Sequence, residues 1–358
     1  MNRAHTAHTS DVVAELARHG ARLWIDGEHL HIRAPKGVLT SAMRSHLAEH
    51  RAELMERLRN DRYEPFPLTD IQQAYYVGRG DGFELGNVSC HTYYEVETEN
   101  LDLKRLEYAW RRLIERHDML RVVFLPDGRQ QVLEHVAPYE IDQFDLRGQS
   151  DEAVTAQLQV IRQRMSYQVL PAERWPLFEI RATRLTDSRV LLHLSFDLLI
   201  MDAMSLRILF HEWRRLYHNP QTQLSPLEFS FRDYALALTE RRNSQDYRRA
   251  KAYWLERLSL IPPAPELPLA LPPASVTAPR FTRRSARLEA EPWERLKERA
   301  ALHGLTPSVI LLTAFSEVIA TWSKSRRFSL NVTLTNRQPL HPQVSKVCLL
   351  YTSDAADE

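Results

Sequence analysis

Residues 196–205 read FDLLIMDAMS and carry two carboxyl groups, those of Asp197 and Asp202, at a predicted junction between a strand and a helix. Such junctions concentrate backbone dipoles and loop side chains, which favours chemistry there. A carboxyl group can transfer protons, although it serves as a general acid only when its pKa is raised. The segment also has a structural interpretation, in which Asp202 is the N-cap of the helix, Ser205 lies in its first turn and Asp197 ends the strand.

The elements that must position this junction alternate between strands and helices. This mixture indicates an α/β (α+β) domain. The strand signals lie at residues 92–97, 122–124, 129–135 and 190–196, and the helix signals at 103–117, 151–165 and 203–217.

A proline-dense stretch, residues 262–279, must be extended and leads into a second α/β region. There we predict a strand at 285–289, a helix from Pro292 to His303 and Gly304, a helix with Thr306 as N-cap and Pro307 as its first residue, and a strand at 328–334.

A smaller αββαα domain precedes these regions. It comprises a short helix that Gly20 ends, strands at 23–25 and 30–32 around the turn dipeptide Asp26-Gly27, and helices at 39–50 and 52–59. Residues 60–67 suit a short linker. His29 and His31 share one strand face, but no third ligand is near in sequence, so surface or partner-facing histidines are favoured over a metal site.

Composition excludes several classes of function. The chain has 358 residues, 44% hydrophobic and 26% charged, and its net charge of +1 gives no electrostatic argument for nucleic acid or an anionic membrane. The apolar stretch 308–322 is too short to cross a bilayer and no secretion signal is present, so we expect a cytoplasmic protein. Two cysteines, Cys90 and Cys348, make no disulfide framework or paired metal site.

The segment FDLLIMDAMS resembles the D-x-x-x-x-D-x-x-S signature of heterocyclisation domains, a branch of the condensation superfamily of nonribosomal peptide synthetases. Together with four further stretches that resemble motifs of the same family, in the family's order, it makes a specific signal. The four are FPLTDIQQAYYVGR at 66–79, RHDMLRVVFLPDGRQ at 116–130, PPAPELPLALPP at 262–273 and NVTLTNRQPLHPQV at 331–344. The resemblance implies a two-lobed fold like that of chloramphenicol acetyltransferase, with residues 68–261 as the first lobe and 262–347 as the start of the second.

An ordinary condensation domain carries H-H-x-x-x-D-G at this junction. Aligned on Asp202, this chain has Asp197 and Leu198 in place of the two histidines and Ala203 in place of the glycine. Because Leu198 cannot accept a proton, a mechanism that uses a histidine at this position is disfavoured. The same substitution argues against an acetyltransferase of the chloramphenicol type, which would require that histidine. A standard condensation domain without cyclisation and a docking module alone stay open as alternatives.

The resemblance implies amide formation between a carrier-bound acyl thioester and carrier-bound Cys, Ser or Thr, followed by cyclodehydration to a thiazoline or oxazoline. Asp197, Asp202 and Ser205 are the candidate catalytic residues, with Asp202 mainly architectural and paired with Arg337 of the second lobe. Arg121, in the second stretch, is a candidate for framing the site. Substrates would arrive on donor and acceptor phosphopantetheinyl carrier proteins with no cofactor bound directly, and an adenylation domain would follow in the parent protein.

Residues 11–59 resemble the TubC-like N-terminal docking domain of such synthetases. In that family an exposed hairpin edge captures a short C-terminal segment of the upstream subunit by adding it as a strand. The residues expected to contribute here are Gly27, His29, His31 and Arg33.

The last residues, VCLLYTSDAADE, lack the Gly-Asp-Phe-Thr motif towards which the family continues, and 348–358 resemble a translated sequencing-adapter tail. We therefore expect an incomplete second lobe, and a fragment that is inactive in cyclisation although its parent is an enzyme. The threonine and aspartate that the family offers for cyclodehydration would lie outside this chain.

Overall fold

The computed structural model describes residues 21–26, 29–277, 279–333 and 337–350. Its N-terminal part contains an antiparallel hairpin, β1 (Arg22–Asp26) and β2 (His29–Arg33), followed by α1 (Ser41–Glu49) and α2 (Arg51–Asp61). The register places Asp26 opposite His29, which confirms the predicted hairpin. The predicted first helix and the turn residue Gly27 lie outside the described residues.

A small core joins the hairpin to the two helices. It centres on the buried side chains of Leu47 and Leu54, against which Leu30 and Ile32 of β2 pack. Because side chains alternate along a strand, His29 and His31 lie on the opposite, exposed face of β2. The predicted arrangement of the histidines on one face is therefore correct.

Two sheets follow. The smaller sheet has the order β3-β6-β5 and the larger β4-β9-β8-β7, in which β7 and β8 are parallel and the other pairs antiparallel. The strands are β3 (Phe66–Pro67), β4 (His91–Glu99), β5 (Val122–Phe124), β6 (Arg129–Val132), β7 (Asp142–Asp145), β8 (Phe178–Arg184) and β9 (Arg189–Asp197).

Helices cover both faces of the larger sheet. The core lies on one face, where Trp110 packs on Trp213 and Phe178 with ring centroids 4.7 and 5.3 Å apart. On the other face Leu158 packs with Leu191 of β9. The helices of this part are α3 (Asp70–Gly78), α4 (Leu103–Arg116), α5 (Asp151–Tyr167), α6 (Ala203–His218) and α7 (Phe231–Arg241).

The chain divides into two compact units. Among the described residues, the second comprises 78–88, 242–277 and 279–333, and its helices are α8 (Gln245–Arg257), α9 (Ala290–Leu302) and α10 (Pro307–Trp322). Thr306 caps α10, accepting a hydrogen bond from Val309 N at 3.3 Å, and Pro307 is the first helical residue, so both predictions are confirmed. α10 buries no side chain.

Two predicted strands are wrong. Residues 285–289 and 328–333 are described but form no strand. A β-type sequence becomes a strand only where a neighbouring strand accepts its backbone hydrogen bonds, and no ladder forms among the described residues of the second unit. Residues 328–333 do contact an extended segment, because Ser329 N donates to Pro263 O at 2.9 Å.

The predicted linker 60–67 is only partly irregular. Residues 60 and 61 belong to α2, and Phe66–Pro67 form β3, where Phe66 is buried.

Within the described residues, no single helix has the length and apolar character of a membrane span. Only α9 and α10 taken together do, and they are bent by 102° with respect to each other.

Candidate functional site

Asp202 begins α6. It is 3% exposed, and its Oδ1 accepts a hydrogen bond from Ser205 N at 2.7 Å. The predicted N-cap is therefore confirmed. A carboxylate at this position also interacts favourably with the positive end of the helix dipole.

Arg337 pairs with Asp202. Its Nη2 lies 2.6 Å from Oδ1 of Asp202 and its Nε 3.2 Å from Oδ2, while Nη1 donates to the carbonyls of Val344 and Val347 at 2.9 Å each. The Arg337 and Asp202 side chains are 5% and 2% exposed. The predicted pairing is present, although Arg337 belongs to the same compact unit as α6 rather than to a second lobe. Because both ions are enclosed, removing either would leave a buried uncompensated charge.

Ser205 is also enclosed in this arrangement. Its Oγ lies 2.8 Å from Oδ1 of Asp202 and 2.9 Å from Leu349 O, and it accepts hydrogen bonds from Arg337 Nη2 at 2.9 Å and Leu349 N at 3.0 Å. The side chain of Ser205 is completely buried. In the structure the hydroxyl therefore joins the cap, the ion pair and the chain at residue 349.

Asp197 ends β9 and is 2% exposed. Its Oδ2 accepts a hydrogen bond from Ser89 Oγ at 2.7 Å, and its Oδ1 accepts one from Leu199 N at 2.9 Å. The loop to Asp202 is short and apolar, with Leu199, Ile200 and Met201 buried. The two aspartates are thus held at the two ends of one anchored loop.

Two glutamines that the sequence did not single out contact this loop. Gln72 of α3 donates to Leu199 O at 2.9 Å and pairs with Gln130 of β6. Both side chains are fully buried. The sequence feature that could have identified them is their position, because Gln72 lies in the first and Gln130 in the second of the family-like stretches.

Arg121 lies in a different place from the one predicted. Its guanidinium donates to the carbonyls of Ile114 and Leu133 at 3.0 and 2.8 Å and pairs with Asp118 at 2.8 Å. Asp118 also pairs with Arg62, at 2.6 Å. Arg121 therefore ties the end of α4 to the residues that follow β6, and Asp118 links it to Arg62 after α2. Among the described residues, its hydrogen bonds do not reach Asp197 or Asp202.

A polar cluster lies on β4 and β9, beside α5. His193 is fully buried, with Nδ1 2.8 Å from Tyr93 Oη and Nε2 3.1 Å from Thr183 Oγ1, while Arg162 pairs with Glu95 at 2.7 Å. Burial raises the pKa of the Tyr93 hydroxyl and lowers the pKa of His193. Burial also opposes ionisation of Glu95, but hydrogen bonds from Arg162 and Tyr93 outweigh it and lower the pKa of this carboxyl. The polar residues 193, 195 and 197, alternating along an apolar strand, were the signal in the sequence.

Of the residues predicted for docking, His29, His31 and Arg33 lie on β2, remote in sequence from the aspartates, and Gly27 lies outside the described residues. The rings of His29 and His31 have centroids 6.4 Å apart, and Arg33 ends the strand. Among the described residues, no group of three or more His, Cys, Asp and Glu side chains is placed to hold a metal ion.

Residues 348–350, the first of the predicted adapter-like tail, are buried. Burial raises the pKa of the Cys348 thiol well above its ordinary value. Apolar side chains bury themselves whatever their origin, so the nature of residues 348–358 stays a prediction.

Comparison with known proteins identifies the family. Residues 64–354 match the condensation domain family, and residues 10–60 match the TubC N-terminal docking domain. Pyochelin synthetase PchF of Pseudomonas aeruginosa is 37% identical over 335 residues, covering 91% of this chain and 18% of the relative. Phenyloxazoline synthase MbtB of Mycobacterium sp. is 36% identical over 290 residues, covering 81% and 24%. The chain thus spans less than a quarter of the length of each of these relatives.

A solved structure agrees with both matches. The cyclization-docking bidomain of the EpoB nonribosomal peptide synthetase from Sorangium cellulosum is 38% identical, with a TM-score of 0.76, covering 98% of this chain and 72% of that one. The mixed α/β arrangement predicted from the sequence, with a condensation fold following a docking domain, is therefore confirmed. The chain belongs to the condensation domain family of nonribosomal peptide synthetases and carries a TubC N-terminal docking domain.

Proposed function

We propose that this chain is the N-terminal part of a heterocyclising synthetase. Its condensation domain joins a carrier-bound acyl group to the amine of carrier-bound Cys, Ser or Thr, and the new amide is then cyclised with loss of water. Phosphopantetheinyl carrier proteins deliver both substrates, and no cofactor is required for either step. The relatives support this proposal, since they include a phenyloxazoline synthase and a cyclization-docking bidomain.

The observation that carries the proposal is the composition of the junction between β9 and α6. Leu198 stands where an ordinary condensation domain has its second histidine, so no imidazole can act at that position. Both aspartates of the junction nevertheless have partners. Asp202 forms an ion pair with Arg337, and Asp197 accepts hydrogen bonds from Ser89 Oγ and Leu199 N. This arrangement supports a site whose aspartates frame the reacting groups.

The two steps make different demands. A free amine attacks a thioester readily once it is oriented, so amide formation requires mainly positioning. In the second step the side-chain thiol or hydroxyl adds to the amide carbonyl, forming a C–S or C–O bond, and the resulting tetrahedral carbon loses its hydroxyl group with the nitrogen-bound proton as water. That step needs a general acid and a base. The residues that the family offers for this acid and base would lie outside this chain, and we assign Asp197 and Asp202 to holding the loop that frames the reacting groups.

A reconstituted reaction tests the proposal. The full-length synthetase that contains this chain would be supplied with an acyl-loaded donor carrier and with Cys, Ser or Thr on the acceptor carrier. Mass spectrometry of the released product should show a species one water lighter than the linear amide. An acceptor carrier loaded with alanine is the control, because alanine can form the amide but has no side chain to close the ring. Linear amide alone with all three acceptors would refute cyclisation.

A second function, recruitment of an upstream subunit, is favoured by the hairpin and by the docking-domain match. β1 and β2 form a two-stranded sheet, and β2 carries His29 and His31 on its exposed face. We propose that a short C-terminal segment of the upstream subunit adds to β2 as a further strand. In a pull-down with that segment, His31→Glu should weaken capture, whereas the exposed Arg44→Glu on α1 should leave it intact. Equal capture by both variants would exclude the β2 face.

A further inference from the structure

We propose that Gln72 and Gln130 are positioning residues for the reaction proposed above. Their side-chain amides form a reciprocal pair that holds the Leu199 peptide and thereby sets the place of the Asp197 carboxylate. The inference rests on the proposed function for its chemistry, but its geometry is independent of that function.

The pair joins three separate parts of the chain. Gln72 lies in the first turn of α3, Gln130 lies on β6, and Leu199 lies in the loop between β9 and α6. Gln72 Nε2 donates to Gln130 Oε1 at 2.9 Å, and Gln130 Nε2 donates to Gln72 Oε1 at 2.8 Å. The two amides therefore bind each other through two parallel hydrogen bonds.

Each remaining polar site of the pair also has a partner. The second N–H of Gln72 donates to Leu199 O at 2.9 Å, the second N–H of Gln130 donates to Pro67 O at 3.0 Å, and Oε1 of Gln72 accepts from Thr69 N at 3.1 Å. All four amide hydrogens are used, which determines the orientation of both groups. Turning over the amide of Gln72 would bring its oxygen against Leu199 O. The pair can thus hold the loop in only one way.

Leu199 is held on both sides of its backbone. Its N–H donates to Oδ1 of Asp197 at 2.9 Å, and its C=O accepts from Gln72 at 2.9 Å. Leu199 itself is fully buried, so water cannot replace either bond. A movement of the Leu199 peptide would therefore displace the Asp197 carboxylate.

An apolar pair of similar size would fill the same space, so packing alone does not require glutamines. Replacing both partners of a buried hydrogen bond by apolar groups of similar shape can be nearly neutral for stability, whereas replacing one leaves the other unsatisfied. The amides differ from an apolar filler in giving the loop a directional contact. That contact is what the experiment must remove.

The first measurement is hydrogen exchange on this chain, read by mass spectrometry over residues 198–202. In Gln72→Met, exchange in this loop should be at least about tenfold faster, with β8 and β9 unchanged. Gln130→Met keeps the contact of Gln72 with Leu199 and should have a smaller effect. Gln131→Met is the matched control, because the side-chain amide of the neighbouring Gln131 donates to Tyr63 O, at 3.0 Å, and not to the Leu199 loop. If Gln72→Met loosens the whole sheet, the double variant Gln72→Met/Gln130→Met replaces it.

The second measurement uses the full-length synthetase. The same Gln72 variant should lower kcat for ring formation by about tenfold, with KM for the acyl carrier unchanged, because displacing the loop that Asp197 anchors disturbs the site geometry in the transition state more than substrate binding. The ratio of cyclised product to linear amide should fall accordingly, and Gln131→Met should leave it unchanged.

The outcomes separate the two proposals. Unchanged loop exchange in the Gln72 variants, or faster exchange with an unchanged product ratio, would overturn the positioning role. If the wild-type synthetase makes only linear amide, cyclisation is refuted. The rate of amide formation in the same variants then decides whether the pair positions the site, and an unchanged rate counts against it.

Discussion

Two helices of equal length show what local sequence determines and what it does not. α6 and α10 each contain sixteen residues, and both begin with a side-chain cap, from Asp202 and Thr306 respectively. α6 buries six side chains, including Trp213, whereas α10 buries none although it is the more apolar helix. Capping and propensity form the helix in both cases, but burial depends on neighbouring elements.

The largest expected effect on stability comes from replacing a tryptophan, and it should differ between the two helices. Trp213 is 5% exposed and donates to Leu106 O at 3.0 Å, whereas Trp322, at the end of α10, is 65% exposed. Trp213→Ala should lower the free energy of unfolding by about 3–5 kcal/mol. Trp322→Ala should change it by less than about 0.5 kcal/mol. Urea unfolding followed by circular dichroism measures both, and equal losses would mean that α10 is buried in solution.

The ion pair at the start of α6 should give an effect of similar size. Asp202→Ala or Arg337→Ala leaves one buried charge unpaired, at a cost of about 3–5 kcal/mol in unfolding free energy. The double variant should lose much less than the sum of the two, because neither charge then remains. The exposed pair Asp246 and Arg249 is the control and should show little coupling. Additive losses at Asp202 and Arg337 would contradict a direct interaction.

The buried carboxyl group of Glu212 on α6 makes the stability of the folded protein depend on pH. Burial opposes ionisation of Glu212, but the hydrogen bond from His117 and the charges of His117 and Arg116 outweigh it and lower the pKa of this carboxyl below its ordinary 4.5. Since the folded pKa lies below the unfolded one, the stabilisation is complete above pH 4.5 and is lost as pH falls through the folded value.

The stability difference between wild type and Glu212→Gln should therefore shrink in acid, as urea unfolding at several pH values would show. Glu317→Gln on the exposed surface of α10 is the matched control and should show no such trend. A difference that stays constant from neutral to acidic pH would argue against the lowered pKa.

The smallest effect concerns the cap of α10. Thr306→Ala removes the hydrogen bond to Val309 N and should cost about 1 kcal/mol of local helix stability. Thr313→Ala, in the middle of the same helix, should stabilise it slightly, because alanine has the higher helix propensity. Exchange of the first-turn amides of α10 measures both. Faster exchange in Thr313→Ala as well would show that packing supports this helix.

Local signals in the sequence predicted much of the fold. The hairpin of β1 and β2, the cap of α6 and the start of α10 all depend on residues close together in the chain, and each is present. The strands predicted at 285–289 and 328–334 failed because a strand depends on a partner that the sequence does not identify. The short strands β3 and β7 were missed for the same reason, since each depends on pairing with β6 or β8.

For the site, the sequence by itself determined the chemical types present in residues 196–205: two aspartates, a serine and no histidine. It also suggested Arg337 as a partner for Asp202. Only the tertiary structure decided that Arg121 ties α4 to the residues after β6, and that Gln72 and Gln130 hold the Leu199 loop. The physical reason is distance along the chain: Gln72 and Leu199 are 127 residues apart, and a buried hydrogen bond between them exists only once the sheets and helices have packed.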